Sequence, residues 1–347
     1  MSNEERAAQK IEFLEDAGWE KALRQHLAGD ASNRRYERLR NGPYGADAVL
    51  MDAPPEKGED LFPFLAVGAA LRAYGYSAPE TIVADLSKGF ALIEDLGDDL
   101  FARVCVSQPR AEERLYAAAV DLLSELVATP APSELVWEDD RAPLKPYDKG
   151  AFCRESLLAA EWWRPAATGV ETPDDLLAEF THLISAATAD TAASVLVLRD
   201  YHAENLLWLP ERAGLRQVGL LDYQDALAGS PAYDLVSLLE DARRDTTPEL
   251  REAMITRFLE RSPALEAEAF RRDYAALGAQ RNLKIVGIFA RLWLRDGKDG
   301  YLAMIPRVWA HLMRDLEHPA MSGLRAFVDR WIPTPTPEAL ATVRAAR

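Results

Sequence analysis

Between residues 195 and 234 the chain reads VLVLRDYHAENLLWLPERAGLRQVGLLDYQDALAGSPAYD, and this stretch restricts the possible folds more than any other. An apolar run at 195–198 leads into Arg199-Asp200-Tyr201-His202-Ala203-Glu204-Asn205. A second run at 206–209, a polar turn around Gly214 and a third run at 218–221 end in Asp222, with Asp225 three residues on. Short apolar runs bounded by polar turns read as short buried strands. Asp200, Asn205 and Asp222 then sit at strand ends, where loops project side chains from a rigid base. Two carboxylates and an amide have the chemistry that phosphoryl transfer needs. One carboxylate orients the acceptor hydroxyl and takes its proton, while an amide oxygen and a second carboxylate suit magnesium, a hard cation.

The spacing D-x4-N, an apolar hairpin and a further Asp is the catalytic-loop and metal-loop layout of the kinase fold. With the longer pattern RDYHxxNLL…DYQDAxxGxxxYDLVSLL, the segment resembles the aminoglycoside/choline phosphotransferase family, the small-molecule branch of that fold. Within it the pattern looks most like the bacterial anomeric N-acetylmuramate/N-acetylglucosamine kinases of cell-wall recycling. The resemblance implies that Asp200 is the catalytic base and that Asn205 and Asp222 are metal ligands. It also implies that Asp234 braces the catalytic loop, and His202 and Asp225 are assigned to support of the loops. One departure is Leu198, where many relatives have a histidine two residues before the catalytic Asp. That change touches the geometry of the loop rather than its chemistry.

Upstream, the small residues Gly29-Asp30-Ala31-Ser32 precede Asn33-Arg34-Arg35-Tyr36, a turn at Asn41-Gly42-Pro43 and a strand at 48–51. Small residues ahead of a hairpin suit a loop folded over nucleotide phosphates through its backbone N–H groups. The tetrapeptide alone also suits an ordinary turn. Its place about 170 residues before Asp200, with MDAPPE after it, adds to the resemblance. The strand at 49–51 lies where most kinases carry a phosphate-pairing lysine, and Met51 is no substitute. Arg34 and Arg35 are the nearest candidates for that charge; the alternative is that both are solvated strand residues. Strands at 81–85 and 89–93 lead into Glu94-Asp95-Leu96-Gly97, which resembles the family's hinge, where backbone groups receive adenine.

The remaining periodicity is helical. Residues 4–27 read as one or two short amphipathic helices broken at Gly18, and 61–74 as a helix packed on a sheet. A helix at 111–128 is followed by a loop at 129–146 rich in proline and acid, then by 147–164, whose acids and aromatics could line a sugar site, with Trp162 and Trp163 as core or lid packing or, alternatively, a sugar-stacking platform. Another amphipathic helix spans 173–190, and a helix starts at Tyr233. The later part is helical, with breaks at Pro248, Pro263 and Gly300, and 333–347 reads as a loosely held appendage. In RNLKIVGIFARLWLRDGK, residues 281–298, the cations Arg281, Lys284, Arg291, Arg295 and Lys298 fall on one arc of a helical wheel. This is a solvated face with stems lying over the core, or a stripe in which Arg281, Lys284 and Arg291 meet an anionic substrate.

A chain of 347 residues is long enough for two lobes with separate cores. A net charge of −16 argues against nucleic acid or an anionic membrane surface as partner. Cys105 and Cys153 are too few for a disulfide framework and read as buried, reduced residues. The opening MSNEERAAQK is not a signal peptide, and no 18-residue apolar run offers a membrane span, so the expected compartment is the cytoplasm. The fold expected is α+β and protein-kinase-like, with a small antiparallel-sheet nucleotide-binding lobe at 1–96 and a mainly helical catalytic lobe at 97–347. ATP and Mg2+ are expected in the cleft between the lobes, with a small-molecule sugar as acceptor. Kinases of another small alcohol remain as alternatives, as does a pseudokinase. Choline would call for an aromatic cage and aminoglycosides for an acidic pocket, and a cationic stripe fits neither.

Overall fold

The structure is a computed structural model and describes residues 2–27, 33–192 and 194–347. Helix α1 (Asn3–Asp16) is followed by strands β1 (Leu23–Leu27), β2 (Arg35–Arg40) and β3 (Ala48–Asp52), then helix α2 (Phe62–Ala73). Strands β4 (Thr81–Asp85) and β5 (Phe90–Ile93) precede helices α3 (Phe101–Ser107) and α4 (Glu112–Val127). A hairpin of β6 (Glu134–Trp137) and β7 (Asp140–Pro143) leads to α5 (Lys149–Leu158), α6 (Arg164–Thr168) and α7 (Asp174–Ala187). Next come β8 (Val195–Val197), β9 (Leu206–Trp208), β10 (Val218–Leu220) and β11 (Leu227–Gly229). Helices α8 (Tyr233–Leu239), α9 (Pro248–Arg261), α10 (Ala267–Asp296), α11 (Ile305–Asp315), α12 (Ser322–Trp331) and α13 (Pro337–Ala345) complete the chain.

The chain divides into two compact units. One comprises Met1–Ala118, Ser133–Leu144 and Glu204–Ala226; the other comprises Ala119–Pro132, Lys145–Ala203 and Leu227–Arg347. This differs from a single break at residue 96. Backbone hydrogen bonding explains the difference for the β9–β10 hairpin, since Leu220 N–H donates to the Ser77 carbonyl at 2.9 Å and Trp208 N–H to the Asp99 carbonyl at 2.8 Å.

The first unit is built on an antiparallel sheet in the order β1-β2-β3-β5-β4. Side chains alternate between the faces of a strand. On one face Leu39, Leu50, Phe90 and Leu92 pack with Phe13, Leu14 and Trp19 from α1 and the turn after it. Polar contacts tie α1 down as well: Arg6 grips Asp52 at 2.6 and 2.9 Å, and Lys10 reaches the same carboxylate at 2.9 Å. The other face carries Val49 and Ile93, register partners on β3 and β5. Two expectations are corrected here. Residues 23–27 are not helical, because α1 stops before Gly18 (φ 74°) and the next segment satisfies its backbone by pairing with β2, from Leu23 opposite Arg40 to Leu27 opposite Tyr36. The loop expected at 129–146 contains the β6–β7 hairpin, which turns at Glu138 (φ 53°) and buries Leu135.

The second unit is mainly helical and centred on α10, whose 30 residues span about 45 Å. Its Gly287 passes the backbone of Leu158 so closely that a β-carbon would lie 2.2 Å from the Leu158 carbonyl carbon. The stripe of cations does not run to Lys298 on one helix, because α10 ends at Asp296 and Gly297 closes it with φ 71°. Cys105 in the first unit and Cys153 in the second are both buried and free.

The chain end also differs from the loose appendage expected. Residues 337–345 form α13, started by Thr336, whose hydroxyl accepts the Ala339 N–H, and by Pro337 in the first turn. This is a favourable N-cap followed by proline where its missing donor costs nothing. Trp163 is fully buried and donates to the Pro333 carbonyl at 2.7 Å; Trp293 donates to the Val343 carbonyl at 3.1 Å, and Val343 is itself buried. Deleting residues 333–347 should therefore lower the melting temperature and shift tryptophan emission to the red. An unchanged melt would show that the tail contributes nothing to the fold.

Candidate active site

In the first unit, the register of one hairpin assembles a polar pair. Strands β9 and β10 pair Leu206 with Leu220 and Trp208 with Val218. The residue before β9 and those after β10 therefore meet, and Leu221 N–H donates to the Asn205 carbonyl at 3.0 Å. The Asn205 amide donates to one Asp222 oxygen at 3.2 Å, and the Gln224 amide donates to the other at 2.7 Å. Asp222 has φ 56°, a conformation that non-glycine residues rarely take and that needs support from its surroundings. Part of that support is Tyr223, buried and stacked on Phe64 of α2 with ring centroids 5.0 Å apart. Gly68 of α2 leaves the room, for a β-carbon there would lie 2.7 Å from the Tyr223 hydroxyl.

Asn205 and Asp222 open into a cavity of about 410 Å³ that is also lined by Val49, Phe64, Ile93 and the segment Glu94–Gly97. Its walls are apolar from the sheet and acidic at the ends, which is the composition of a site for a planar group with a polar tail. Arg38 of β2 lies in the wall, its guanidinium held by Asp95 at 2.7 and 2.9 Å, by Asp98 at 2.7 Å and by the Gly97 carbonyl at 3.2 Å. Glu94 is paired with Arg212 from the β9–β10 turn. The donor set fits magnesium: one carboxylate and one amide are hard oxygen donors, and this ion takes a few protein ligands and completes its shell from phosphate and water. Among the described residues no group of three or more His, Cys, Asp or Glu residues forms an all-protein cage.

In the second unit, Asp200 sits on a tight turn after β8, whose Val195–Val197 pair with β11. Both Leu198 N–H and Arg199 N–H donate to the Asp234 carboxylate, at 2.7 and 2.8 Å. Arg199 has φ 71°, and its carbonyl accepts from Arg281 at 3.0 Å and from the Ser237 hydroxyl at 3.1 Å. Arg281 is buried; it also donates to the Tyr233 hydroxyl at 3.2 Å and lies 3.7 Å from the Asp200 carboxylate. Desolvation works against the charge on Asp200, yet Arg281, Lys284, His202 and Arg199 hold its carboxyl below the usual carboxylate range. Its side chain is 40% exposed, so an acceptor can reach it. His202 is buried, and burial pushes its imidazole down toward the neutral form.

Some expected site residues lie elsewhere. Arg34 pairs with Glu59 at 2.9 Å and is not in the cavity wall. Arg35 faces a separate small cleft with Arg6, Lys10 and Lys57. Arg38 is the cation of the wall, on the face of β2 that also carries Tyr36; Arg35, at odd spacing, faces away, and Arg34 lies before the strand and is held by Glu59. Gly29, Asp30, Ala31 and Ser32 lie outside the described residues. Asp225 is exposed, and Gln224 is the neighbour that holds Asp222. Arg281 and Lys284 join the groups around Asp200, whereas Arg291 lies about 15 Å beyond Arg281 along α10. Tyr147 and Glu155 belong to the stretch 147–164 whose acids and aromatics the sequence offered for a sugar site, though neither was singled out; Gln224 and Arg38 were missed, and for Gln224 a signal existed in its place between the two acids of DYQD.

An antiparallel-sheet unit bearing an Asn/Asp pair across a hairpin, and a mainly helical unit bearing an Asp on a braced turn, define a kinase-like phosphotransferase. The chain belongs to the phosphotransferase enzyme family, whose model matches residues 24–274. It is 39% identical to an N-acetylmuramate/N-acetylglucosamine kinase of Caulobacter vibrioides, over 96% of this chain and 98% of that protein. A protein of the same name from Pseudomonas aeruginosa is 32% identical over 82% of this chain and 81% of its own. Among solved structures, the ADP-bound aminoglycoside phosphotransferase APH(2'')-Ib matches with a TM-score of 0.58 at 13% identity, covering 90% of this chain and 99% of that one. A Plasmodium vivax ethanolamine kinase matches with a TM-score of 0.60 at 11% identity, covering 91% and 88%. At these identities the likeness to solved structures is one of fold.

The brace on the Asp200 turn has a pH signature. Burial raises the Asp234 carboxyl to about 7, against the two amide donors and Arg281, from an ordinary value near 3.8. The folded state then binds a proton that the unfolded state has released, so this contribution is full below about pH 4 and is lost as pH rises through 7. Urea unfolding of the parent and of Asp234→Asn across this range should show the parent's advantage shrinking from pH 4 to 7 and levelling above. A constant difference would mean that Asp234 is ionised throughout.

Proposed function

We propose that the chain is an ATP- and magnesium-dependent kinase acting on the anomeric hydroxyl of N-acetylmuramate and N-acetylglucosamine, giving the sugar 1-phosphates. The observation that carries this reading is the near-full-length similarity to a kinase of that name, in a chain that keeps Asp200, Asn205 and Asp222. In this reading Glu94–Gly97 receives the base of the nucleotide and Asn205 and Asp222 hold the magnesium, which neutralises charge on the phosphates. Asp200 orients the anomeric hydroxyl and accepts its proton as the oxygen–phosphorus bond forms and the bond to the ADP oxygen breaks. The low carboxyl affinity for protons at Asp200 keeps it ready as an acceptor near neutrality. The same reading places the protein in the cytoplasm, where ATP is supplied; no helix among the described residues is long and apolar enough to cross a membrane.

The test is magnesium-dependent ADP release across a panel of the two amino sugars, an aminoglycoside, choline and homoserine, with phosphorus NMR of any product. Turnover of an amino sugar to a 1-phosphate is expected. Turnover of another alcohol alone would leave the family and remove the substrate. The metal assignment has its own test: Asp222→Asn should lower the rate by about a thousandfold or more with the fold intact, a loss of about 4 kcal/mol in transition-state stabilisation. Near-normal turnover by the folded variant would sink that assignment.

A further inference from the structure

Beside the Asp200 turn lies a cluster of paired charges. The Glu155 carboxylate on α5 receives two cations on a single oxygen: Arg199 at 2.7 Å and Lys284 at 3.2 Å both reach Oε1. Its other oxygen accepts from the Tyr147 hydroxyl and from the Gln280 amide, the latter at 3.2 Å. Two cations thus share one carboxylate at this point, while Arg281 lies between Asp200 and the Asp234 brace. The floor is the buried pair Tyr147 and Tyr233, with the Arg199 guanidinium 5.1 Å and the Lys284 ammonium 6.0 Å from the Tyr147 ring centre. The side chains of Arg199, Lys284 and Glu155 are 19%, 12% and 20% exposed, so solvent reaches all three without dissolving the pairs. The Arg199 Nε–H is buried and has no hydrogen-bond partner among the described residues.

We infer that Arg199 and Lys284 read the carboxylate of an acidic acceptor sugar, and that Glu155 is the counter-ion they keep when the acceptor is neutral. This rests on the amino-sugar reading above and names what that site uses to tell its two substrates apart. N-acetylmuramate differs from N-acetylglucosamine by a lactyl ether that ends in a carboxylate. A guanidinium offers donors in a fixed fork that matches a carboxylate. Arg199 is next to Asp200 in the chain, and its backbone is pinned by Asp234, Arg281 and Ser237. The group that reads the anion and the group that takes the proton therefore ride on one rigid turn. Arg281, buried with its donors on the Arg199 carbonyl and Tyr233, serves as a positioning residue and does not meet the sugar's carboxylate. Without Glu155 the two cations would stand uncompensated in the absence of an acidic sugar, which is costly for partly buried charges. With it, a neutral sugar meets a site already balanced by a hydrogen-bonded carboxylate.

The experiment is kcat/KM for N-acetylmuramate and N-acetylglucosamine with the full chain and with Lys284→Met, Lys284→Arg and Glu155→Gln, each checked for fold by its thermal melt. The readout is the ratio of the two constants. Lys284→Met should lower the acidic-to-neutral ratio about tenfold or more, Lys284→Arg should restore most of it, and Glu155→Gln should raise it. Ratios unchanged across the folded variants would overturn the inference and leave the amino-sugar reading standing. Parent protein that turns over only the neutral sugar would also overturn it. Turnover of neither sugar would overturn the amino-sugar reading, and this inference with it. If Glu155→Gln fails to fold, the two Lys284 variants decide alone.

Discussion

One buried carboxylate sets the shape of the turn on which Asp200 is carried. Asp234, at the start of α8, accepts two consecutive backbone N–H groups, from Leu198 and Arg199. Two adjacent amides can converge on one carboxylate only if the chain bends sharply between them, and Arg199 takes φ 71° to do so. A left-handed conformation at a non-glycine residue costs on the order of 1 kcal/mol or more. Hydrogen bonds from both sides offset that cost: Asp234 holds the N–H groups, while Arg281 and Ser237 hold the Arg199 carbonyl. Removing Asp234 would leave two backbone N–H groups without their partner, which costs more than the bonds themselves contribute.

The first unit solves a similar problem through strand register. Asn205 and Asp222 are 17 residues apart in the chain but meet because β9 and β10 pair antiparallel, with one residue before and two after their matched ends. Asp222 again takes φ 56°, and Gln224 and Tyr223 hold it from the following turn. In both units, then, the carboxylate proposed to act at a phosphate or at an acceptor belongs to a strained turn next to a three-residue strand. Short strands suffice because each is fully or nearly buried, so little freedom remains for the residues at its ends.

Much of this was legible in the sequence because it is local. The runs at 195–198, 206–209 and 218–221 marked β8, β9 and β10, and the polar residues at their ends marked the site. What was not legible depends on partners distant in the chain. Residues 23–27 carry helix-compatible residues, and only the presence of β2 makes them a strand. The hairpin at 134–143 has no alternating pattern strong enough to stand out, and its burial rests on the single side chain of Leu135. Glu155 lies 44 residues before Arg199 and 129 before Lys284, so no spacing rule connects the three. The tail is different: Thr336-Pro337 is a helix start that the sequence does contain, and composition alone obscured it.

The absent lysine is best understood together with the helix that would have faced it. In kinases the lysine of the third strand forms an ion pair with a glutamate of the following helix. Here Met51 is fully buried, and α2, the helix after β3, reads FPFLAVGAALRA with no acidic residue. Losing one partner of a buried pair strands the other charge at a cost of several kcal/mol, whereas replacing both by apolar groups of similar size is often neutral or stabilising. The double replacement is therefore a consistent solution and not a defect. It turns that part of the unit into hydrophobic core, with Phe64 of α2 stacked on Tyr223 instead of an ion pair across the gap. Aromatic packing ties Tyr223, the residue after Asp222, to α2 and so restricts where the Asp222 carboxylate points.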